Sequence, residues 1–271
     1  MIKKSIQMKI AIIGTGNLGS SIAKGLIKNK SFTSLYLSDK NTSAVKTFEE
    51  EPHVTITSDN AKAVEASDIV LFALQPRHIE GVLKDVAPLI KADHVVLSVA
   101  AGYEISRIES IIGSDKNIIR VMPNTAISIG KSMTCLSAND KGQGKIELAK
   151  NIFNQLGTTM VIPEEQIQAA TVICASGIAF WMRLVRATTQ GAIQLGFEAH
   201  EAHDLAVQTC FGSASLLIES GRHPEQEIDR VTTPSGCTIE GLNAMEHQGL
   251  SSALIQGIVS SFEKINQIKK N

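Results

Sequence analysis

The residues best suited to chemistry lie in a short segment near the end of the chain, residues 229–242. It reads DRVTTPSGCTIEGL and places four hydroxyl side chains before a helical pattern, those of Thr232, Thr233, Ser235 and Thr238. Pro234 suits a turn or a first helical position because its missing N–H is not needed there, and Gly236 lets a ligand approach the backbone closely. The following helix begins with unpaired N–H groups and the positive end of its dipole, so the segment is able to bind a small carboxylate. A plain helix start with a Thr cap is the alternative.

A glycine-rich segment near the start of the chain predicts a dinucleotide site. It reads GTGNLG, follows an apolar strand pattern and opens a helical one; its residues are Gly14, Thr15, Gly16, Asn17, Leu18 and Gly19. In such a loop the first Gly makes a tight turn, the second lets the backbone approach a pyrophosphate, and the third lets the helix pack on the strand. Asp39 ends the next strand pattern roughly 20 residues on, where an acidic residue binds the ribose 2′-hydroxyl. A simple tight turn between strand and helix is the alternative.

The residues around Asp39 leave the choice of cofactor open. The Asp39 carboxylate would repel a 2′-phosphate and so favours NADH. Ser38, Lys40 and Asn41 would instead be able to cradle that phosphate. NADH and NADPH therefore both remain candidates.

Three further segments lie at the predicted carboxyl ends of strands, where ligands of open α/β sheets bind. They read ALQP, SVAAG and RVMPNTA, and their candidate cofactor-binding residues are Ala73, Gln75, Pro76, Ala100, Ala101, Gly102 and Asn124. The small side chains of residues 100–102 would let a nicotinamide ring lie against the backbone. Each segment taken alone fits a strand end and a turn equally well.

The order of the predicted elements indicates an α/β fold with two domains. Strand patterns at residues 9–13, 35–38, 54–56, 68–74, 94–99, 117–122 and 158–162 alternate with helical ones, which predicts a doubly wound Rossmann-type parallel sheet. Beyond Pro163 helical periodicity dominates, and residues 204–218 are apolar on too many sides for a free surface helix. We expect a dinucleotide-binding domain over residues 8–163 and an all-helical C-terminal substrate and dimerisation domain over residues 164–271.

Composition excludes several classes of function. With 26 basic and 27 acidic side chains, the chain has no net charge that favours nucleic acid or an anionic membrane. No apolar run is expected to reach the roughly 18–20 residues of a membrane helix, and the N-terminus lacks the apolar stretch of a secretory signal. The four cysteines have no paired spacing, which favours reduced thiols in a cytoplasm over disulfides or a zinc site. We expect a soluble cytoplasmic protein without a metal.

The hydroxyl-rich segment resembles the signature V-T/S-S-P-G-G-T-T of the pyrroline-5-carboxylate reductases, which make proline by reducing a cyclic imine with NAD(P)H. The three strand-end segments are similar to that family's A-V-K-P, S-x-A-A-G and R-x-M-P-N-T-P, with Gln75 in place of Lys and Ala126 in place of the last Pro. Asn60 aligns with a family Asn near the adenosine. The resemblance covers nearly the whole chain, from Met8 to about Ile258.

Parts of the resemblance are loose. The family's G-S-G-P-A-Y-x-F appears as ASGIAFWM, which keeps Ser176 but has Ile178 for Pro and Phe180 for Tyr. The family's acidic residue before His-Pro is absent, since Gly221 and Arg222 stand there. A break between two helices accounts for the Ser-Gly pair equally well.

The resemblance implies a site and an assembly. It implies that Thr238 is catalytic and that the substrate is bound by Thr232, Thr233, Ser235, Gly236, Cys237 and Ser176. It also implies that NADPH or NADH binds the glycine-rich loop and that the chain forms a homodimer or a multiple of dimers. Each active site would then lie between the nicotinamide and the hydroxyl-rich segment.

One absence bears on the chemistry. No lysine occurs between Lys150 and Lys264, whereas the similar 3-hydroxyisobutyrate and 6-phosphogluconate dehydrogenases depend on a lysine after the Rossmann domain, because a ketone needs a proton donor. A protonated cyclic imine is already an electrophile, so a hydroxyl and helix-start amides suffice. A related imine or hydroxyacid reductase with another small carboxylate substrate, and a nucleotide-binding sensor without turnover, are the alternatives.

Overall fold

A computed structural model of the chain describes residues 8–269, which form two units divided between Ala175 and Ser176. The first unit contains an eight-stranded sheet. Its strands are β1 (Lys9–Ile13), β2 (Ser34–Ser38), β3 (Val54–Thr57), β4 (Ile69–Phe72), β5 (Val95–Ser98), β6 (Asn117–Met122), β7 (Ser132–Ala138) and β8 (Gly157–Val161). The helices of this unit are α1 (Asn17–Asn29), α2 (Asn60–Glu65), α3 (Pro76–Val86), α4 (Ile105–Ile112), α5 (Ile146–Phe153) and α6 (Ile167–Ala170).

The strand order β3-β2-β1-β4-β5-β6-β7-β8 is that of a doubly wound sheet. β1 has β2 on one side and β4 on the other, both parallel to it, so the connections that leave β1 and β4 run to opposite faces. A crevice at the carboxyl ends of the strands is expected at such a switch point. The arrangement confirms the predicted Rossmann-type fold.

The central strands β1, β4 and β5 of this sheet are buried on both faces. Successive residues of β1 alternate between two apolar cores, Ile10 and Ile12 in one and Ala11 and Ile13 in the other. This alternation follows from the two-residue period of a strand, and it explains why the parallel strands read as continuous apolar runs.

The strand β7 was not predicted, and it makes the sheet mixed rather than wholly parallel. It pairs antiparallel with β6 and parallel with β8. Its sequence, SMTCLSA, buries hydroxyls that satisfy each other, since Ser132 Oγ lies 3.0 Å from Thr134 Oγ1. These polar residues weaken the apolar signal on which strand prediction rests. Between β2 and β3, residues Thr42–Phe48 form a 3-10 helix.

The elements described in the second unit are all helices: α7 (Gly177–Gln194), α8 (Ala199–Ser220), α9 (Pro224–Val231), α10 (Cys237–His247) and α11 (Leu250–Lys269). α7 and α8 pack against each other. Large apolar side chains remain exposed on both, among them Trp181, Met182, Phe211 and Ile218. This unit therefore buries few of its apolar residues within one chain.

The chain stays helical from Glu164 to Gln194, a run of 31 residues that includes a π-helical stretch at Thr171–Ser176. The alternative of a break between two helices at Ser176 is thus wrong, because the chain there changes from a π-helix to an α-helix without a gap. One window of the run has a mean hydropathy of 1.4 and is 17% buried, so the expectation that no segment suits a membrane helix is wrong here. Length and composition alone do not separate a membrane span from a helix that packs against another subunit.

Candidate functional site

The glycine-rich loop between β1 and α1 has the geometry that a pyrophosphate site requires. Gly14 has a φ of +96°, its amide donates to the Ser38 carbonyl at 2.8 Å, and a Cβ there would press on the Ala73 backbone. A Cβ on Gly19 would press on the Gly14 carbonyl, whereas a Cβ on Gly16 would meet nothing within 4 Å. The first and third glycines are thus needed by the fold, and the middle one leaves open space for a phosphate.

Asp39 connects this loop to the end of β2. Its Oδ2 accepts a hydrogen bond from the Thr15 amide at 2.6 Å, and its Oδ1 accepts one from the Asn41 amide at 2.9 Å. Each carboxylate oxygen keeps lone-pair capacity for a further donor such as a ribose hydroxyl. The Thr15 hydroxyl is buried without a hydrogen-bond partner among the described residues, and an unsatisfied buried group of this kind is consistent with a ligand that binds beside the loop.

The predicted adenosine side is formed by the ends of β2 and β3. Ser38 Oγ donates to Asn60 Oδ1 at 2.7 Å, which fixes the side chain of Asn60 at the start of α2. Lys40 is exposed. The residues on either side of Asp39 in the chain are thus Ser38, which holds the Asn60 amide, and the exposed Lys40.

The loops after β4 and β5 are each tied to the neighbouring strand. The Ala73 amide donates to the Ile13 carbonyl at 2.8 Å, and the Val99 amide donates to the Phe72 carbonyl at 3.0 Å. Gln75 precedes α3, whose first residue is Pro76. The sheet topology thus brings the ends of β1, β4 and β5 together at one edge.

The small-residue loop at 100–102 and Asn124 differ in how they are placed. Ala101 is exposed at the apex of its loop, and Gly102 has a φ of +71°, so the backbone there is accessible. Asn124 is buried, accepts from the Ala126 amide at 3.0 Å and donates to the Cys174 carbonyl at 2.9 Å. Its side chain is thus already used to hold its own loop.

An ion pair that sequence reasoning missed lies in the same unit. Arg120 of β6 is only 3% exposed, and its Nη1 donates to Glu164 Oε1 at 3.1 Å. The available signal was an arginine inside the apolar run NIIRVM, because a charged residue in a buried strand requires a partner.

The hydroxyl-rich segment forms a tight turn between α9 and α10. The Thr232 hydroxyl donates to the Ile228 carbonyl at 2.8 Å and closes α9, and the Gly236 amide donates to the Thr233 carbonyl at 3.0 Å. Pro234 lies inside the turn and Ser235 has a φ of +57°. Of the two positions predicted for Pro234, a turn or a first helical residue, the structure shows the turn.

The start of α10 offers free backbone donors. Gly236 is the residue before the helix, and a Cβ on it would press on the Thr233 hydroxyl oxygen. Cys237 and Thr238 are the first two helical residues, so their amides precede the first intrahelical hydrogen bonds. Thr238 is half-buried. A hydroxyl and several amide donors thus occur within one helical turn.

The four cysteines are free thiols, and two of them interact. A hydrogen bond from Cys135 lowers the pKa of the Cys174 thiol to about 7, and the same hydrogen bond, together with burial, raises the pKa of Cys135. Cys237 is exposed. Within residues 8–269, no three His, Cys, Asp or Glu side chains are grouped so that they could hold a metal ion.

Comparison with known proteins also gives two parts, although the second family match begins at residue 164 and the two structural units divide between Ala175 and Ser176. Residues 9–102 match the family model of NADP oxidoreductases described as coenzyme F420-dependent, and residues 164–268 match that of pyrroline-5-carboxylate reductase dimerisation. Pyrroline-5-carboxylate reductase 2 of Dictyostelium discoideum is 39% identical over 94% of this chain and 91% of its own length.

Two further relatives extend this likeness. Pyrroline-5-carboxylate reductase 1 of Dictyostelium discoideum is 44% identical over 94% of this chain, which spans only 49% of that longer protein. The structure of a pyrroline-5-carboxylate reductase from Coxiella burnetii superposes with a TM-score of 0.91, at 27% identity, over 96% of this chain and 98% of that one. The chain therefore belongs to the pyrroline-5-carboxylate reductase family of NAD(P)-dependent oxidoreductases.

Proposed function

We propose that this chain reduces 1-pyrroline-5-carboxylate to L-proline with NADH or NADPH. The observation that carries the proposal is the turn at residues 232–238, where a half-buried hydroxyl and free helix-start amides occur together. These groups complement a cyclic imino acid, because amides donate hydrogen bonds to its carboxylate and a hydroxyl oxygen accepts one from its protonated nitrogen. Family membership supports the same substrate.

The amides at the start of α10 bind the substrate carboxylate in this proposal. They carry the positive end of the helix dipole and need no counter-charge from a side chain. Thr233, Ser235, Gly236 and Cys237 shape the turn that presents them, and Ser176 contributes a second hydroxyl. Thr232 acts through its bond to the Ile228 carbonyl, which fixes the end of α9.

Thr238 orients the ring nitrogen. The N–H of the protonated imine donates to Thr238 Oγ1, and this contact remains in the amine product. Because the protonated imine is already electrophilic, orientation is the main requirement, and no side chain has to deliver a proton to carbon or nitrogen.

The residues at the carboxyl edge of the sheet bind the cofactor, whose nicotinamide supplies a hydride when bound. Gly14–Gly19 hold the pyrophosphate, while Asp39, Lys40 and Asn60 surround the adenosine ribose. Ala73, Gln75, Pro76 and Asn124 line the crevice, and residues 100–102 face the nicotinamide. The open space at Gly16 and the buried Thr15 hydroxyl support this assignment.

We also propose the domain organisation and the setting of the enzyme. Residues 8–163 form the cofactor domain, and residues 164–271 form the substrate and dimerisation domain of a homodimer or a multiple of dimers. The apolar faces of α7 and α8 support the assembly. Four free thiols are typical of the reducing cytoplasm.

The test is a spectrophotometric assay of NADH and NADPH consumption after addition of 1-pyrroline-5-carboxylate, with 3-hydroxy acids and oxidised cofactor tested separately. Turnover with the imine alone is the expected result. Turnover with a hydroxy acid would assign the chain to the hydroxyacid reductases instead. Cofactor binding without turnover of either substrate would identify a sensor.

A further inference from the structure

We propose that Glu164 positions the nicotinamide-facing loop, residues 100–102, and so acts as a positioning residue for the reduction. The inference rests on the proposed function, because it takes this loop as the place where the nicotinamide lies. It assigns a role to a carboxylate outside the glycine-rich loop and the hydroxyl-rich turn.

The first step of the argument is that Glu164 Oε1 has two donors. The Ile105 amide donates to it at 2.7 Å, and Arg120 Nη1 donates to it at 3.1 Å. Ile105 is the first residue of α4, so a carboxylate 59 residues further along the chain supplies the hydrogen bond at this helix start. A negative charge at that end of a helix is also favoured by the helix dipole.

The second step concerns the anchoring of Glu164 itself. Arg120 is 3% exposed and lies on a central strand opposite Ser98 of β5 and Ser137 of β7. The guanidinium of Arg120 is therefore held in place by the sheet, and it fixes the position of the Glu164 carboxylate that it contacts. Beyond Glu164, the buried side chain of Ile167 fixes the chain that carries the carboxylate.

The third step is that residues 99–104 are held at both ends. At the β5 end, the Val99 amide donates to the Phe72 carbonyl at 3.0 Å. At the α4 end, the buried Tyr103 ring and the Glu164 contact to Ile105 hold the chain. Loss of the Glu164 carboxylate releases one of the anchors at the second end, so Ala101 at the apex would lose its fixed position.

This placement predicts a selective defect in binding. Glu164→Ala should weaken the affinity for NADH and NADPH about tenfold, the order of change expected from the loss of one charged hydrogen bond. Affinity for ADP-ribose and its 2′-phosphate, which contain no nicotinamide, should stay within about twofold of the wild type, because neither molecule reaches the loop.

Binding is measured by titration of the purified full chain, with nicotinamide fluorescence for the reduced cofactors and calorimetry for the fragments. Glu165→Ala is the matched control, since the neighbouring glutamate is exposed. Its removal should change neither the affinity for the reduced cofactors nor the affinity for ADP-ribose and its 2′-phosphate. Glu164→Gln keeps an oxygen that accepts from the Ile105 amide and should bind the cofactor with an affinity within about threefold of the wild type.

Glu164→Ala leaves Arg120 buried without a counter-charge and for that reason is at risk of not folding. In that case Glu164→Asp, which shortens the side chain by one methylene, is used to compare the affinities for the cofactor and for the fragments.

Three results would overturn the inference: equal weakening of cofactor and fragment, no weakening of either, or the same loss in Glu164→Gln as in Glu164→Ala. A wild-type protein that binds the cofactor but does not reduce 1-pyrroline-5-carboxylate would contradict the proposed substrate and leave the binding test intact. A wild-type protein that binds no dinucleotide would overturn both.

Discussion

At the scale of single residues, Asp39 has two roles in the proposed site, and they oppose each other when the cofactor carries a 2′-phosphate. Its oxygens accept hydrogen bonds from the Thr15 and Asn41 amides, so the carboxylate is fixed at the end of β2 and is unable to swing away from an incoming group. A fixed negative charge at this position disfavours a phosphate and tolerates a hydroxyl. If Asp39 faces the ribose as proposed, the side chain that organises the loop also biases the choice of cofactor.

Replacement of Asp39 by Asn should shift the enzyme toward NADPH. The Asn oxygen still accepts one backbone hydrogen bond, so the loop stays in place while the charge is lost. We expect the ratio of kcat/KM for NADPH to that for NADH to rise roughly tenfold, measured by steady-state kinetics with both cofactors. Glu49→Gln, the same change at an exposed position, is the control. An unchanged ratio in Asp39→Asn would mean that residue 39 does not face the ribose.

Thr238→Val tests the proposed contact with the imine. Valine keeps the β-branched shape and the backbone amide and removes only the hydroxyl. Because a hydrogen bond to a charged group contributes about 1.5–3 kcal/mol, kcat/KM should fall roughly tenfold to a hundredfold. Inhibition by proline analogues should weaken less, since the amides hold the carboxylate.

Thr33→Val makes the same change at an exposed position just before β2, at the edge of the sheet opposite the site, and it should leave kinetics unchanged. Wild-type turnover and KM in Thr238→Val would remove this residue from the mechanism and leave the turn as a carboxylate clamp.

The thiol pair predicts a pH-dependent reactivity. Because the interaction with Cys135 lowers the pKa of Cys174, the Cys174 thiolate should form, and be alkylated, at a lower pH than that of an ordinary thiol. Cys135→Ala removes the donor, so the pKa of Cys174 should rise and its alkylation at pH 7 should slow. Mass spectrometry of peptides after iodoacetamide treatment at several pH values measures this, with Cys210 as the internal reference. If Cys174 alkylation had the same pH midpoint in the wild type and in Cys135→Ala, Cys135 would not be the cause of the lowered pKa.

At the scale of elements, the glycine-rich loop separates two positions needed by the fold from one position proposed to face the ligand. Gly14→Ala places a side chain at a φ of +96° and against the Ala73 backbone, so it should destabilise the protein by about 2 kcal/mol or more. The methyl group added in Gly16→Ala meets open space, so this variant should have the same Tm as the wild type. It should bind NADH more weakly.

Thermal denaturation with and without NADH distinguishes the two variants of this loop. The cofactor should raise the Tm of the wild type clearly and that of Gly16→Ala much less. A Gly16→Ala protein that is stabilised by NADH as strongly as the wild type would show that no phosphate approaches this glycine.

The elements also show how far the sequence determines the fold. β1, β4, β5 and β6 could be predicted because strands covered on both faces are continuous apolar runs. β7 could not, since buried hydroxyls such as Thr134 interrupt its apolar pattern and find their partners only in the folded sheet.

In the candidate site, the loops were predictable from glycine spacing and strand ends. The contact between Glu164 and Ile105 was not, because it joins residues 59 positions apart. No local pattern encodes a contact at that separation.

At the scale of the whole molecule, the exposed apolar side chains of the helical unit indicate that one chain is an incomplete assembly. Phe211, Ile218 and Trp181 are 59%, 82% and 61% exposed, more apolar surface than an isolated soluble chain usually leaves open. The same residues lie in the part of the chain that matches the dimerisation family model, residues 164–268. We therefore expect the long apolar helix at Glu164–Gln194 to pack in a protein interface and not in a lipid bilayer.

Phe211→Glu should convert the proposed dimer, or multiple of dimers, into monomers. A charge in the middle of α8 would have to be buried without a partner when two chains associate, and that desolvation outweighs the remaining apolar contacts. Sedimentation equilibrium at micromolar concentration measures the mass, and the same samples give kcat. Ile129→Glu, on the first unit and 74% exposed, is the matched control and should leave the mass unchanged. A wild-type chain that sediments as a stable, active monomer would contradict the assembly proposed here, as would a Phe211→Glu protein with the wild-type mass.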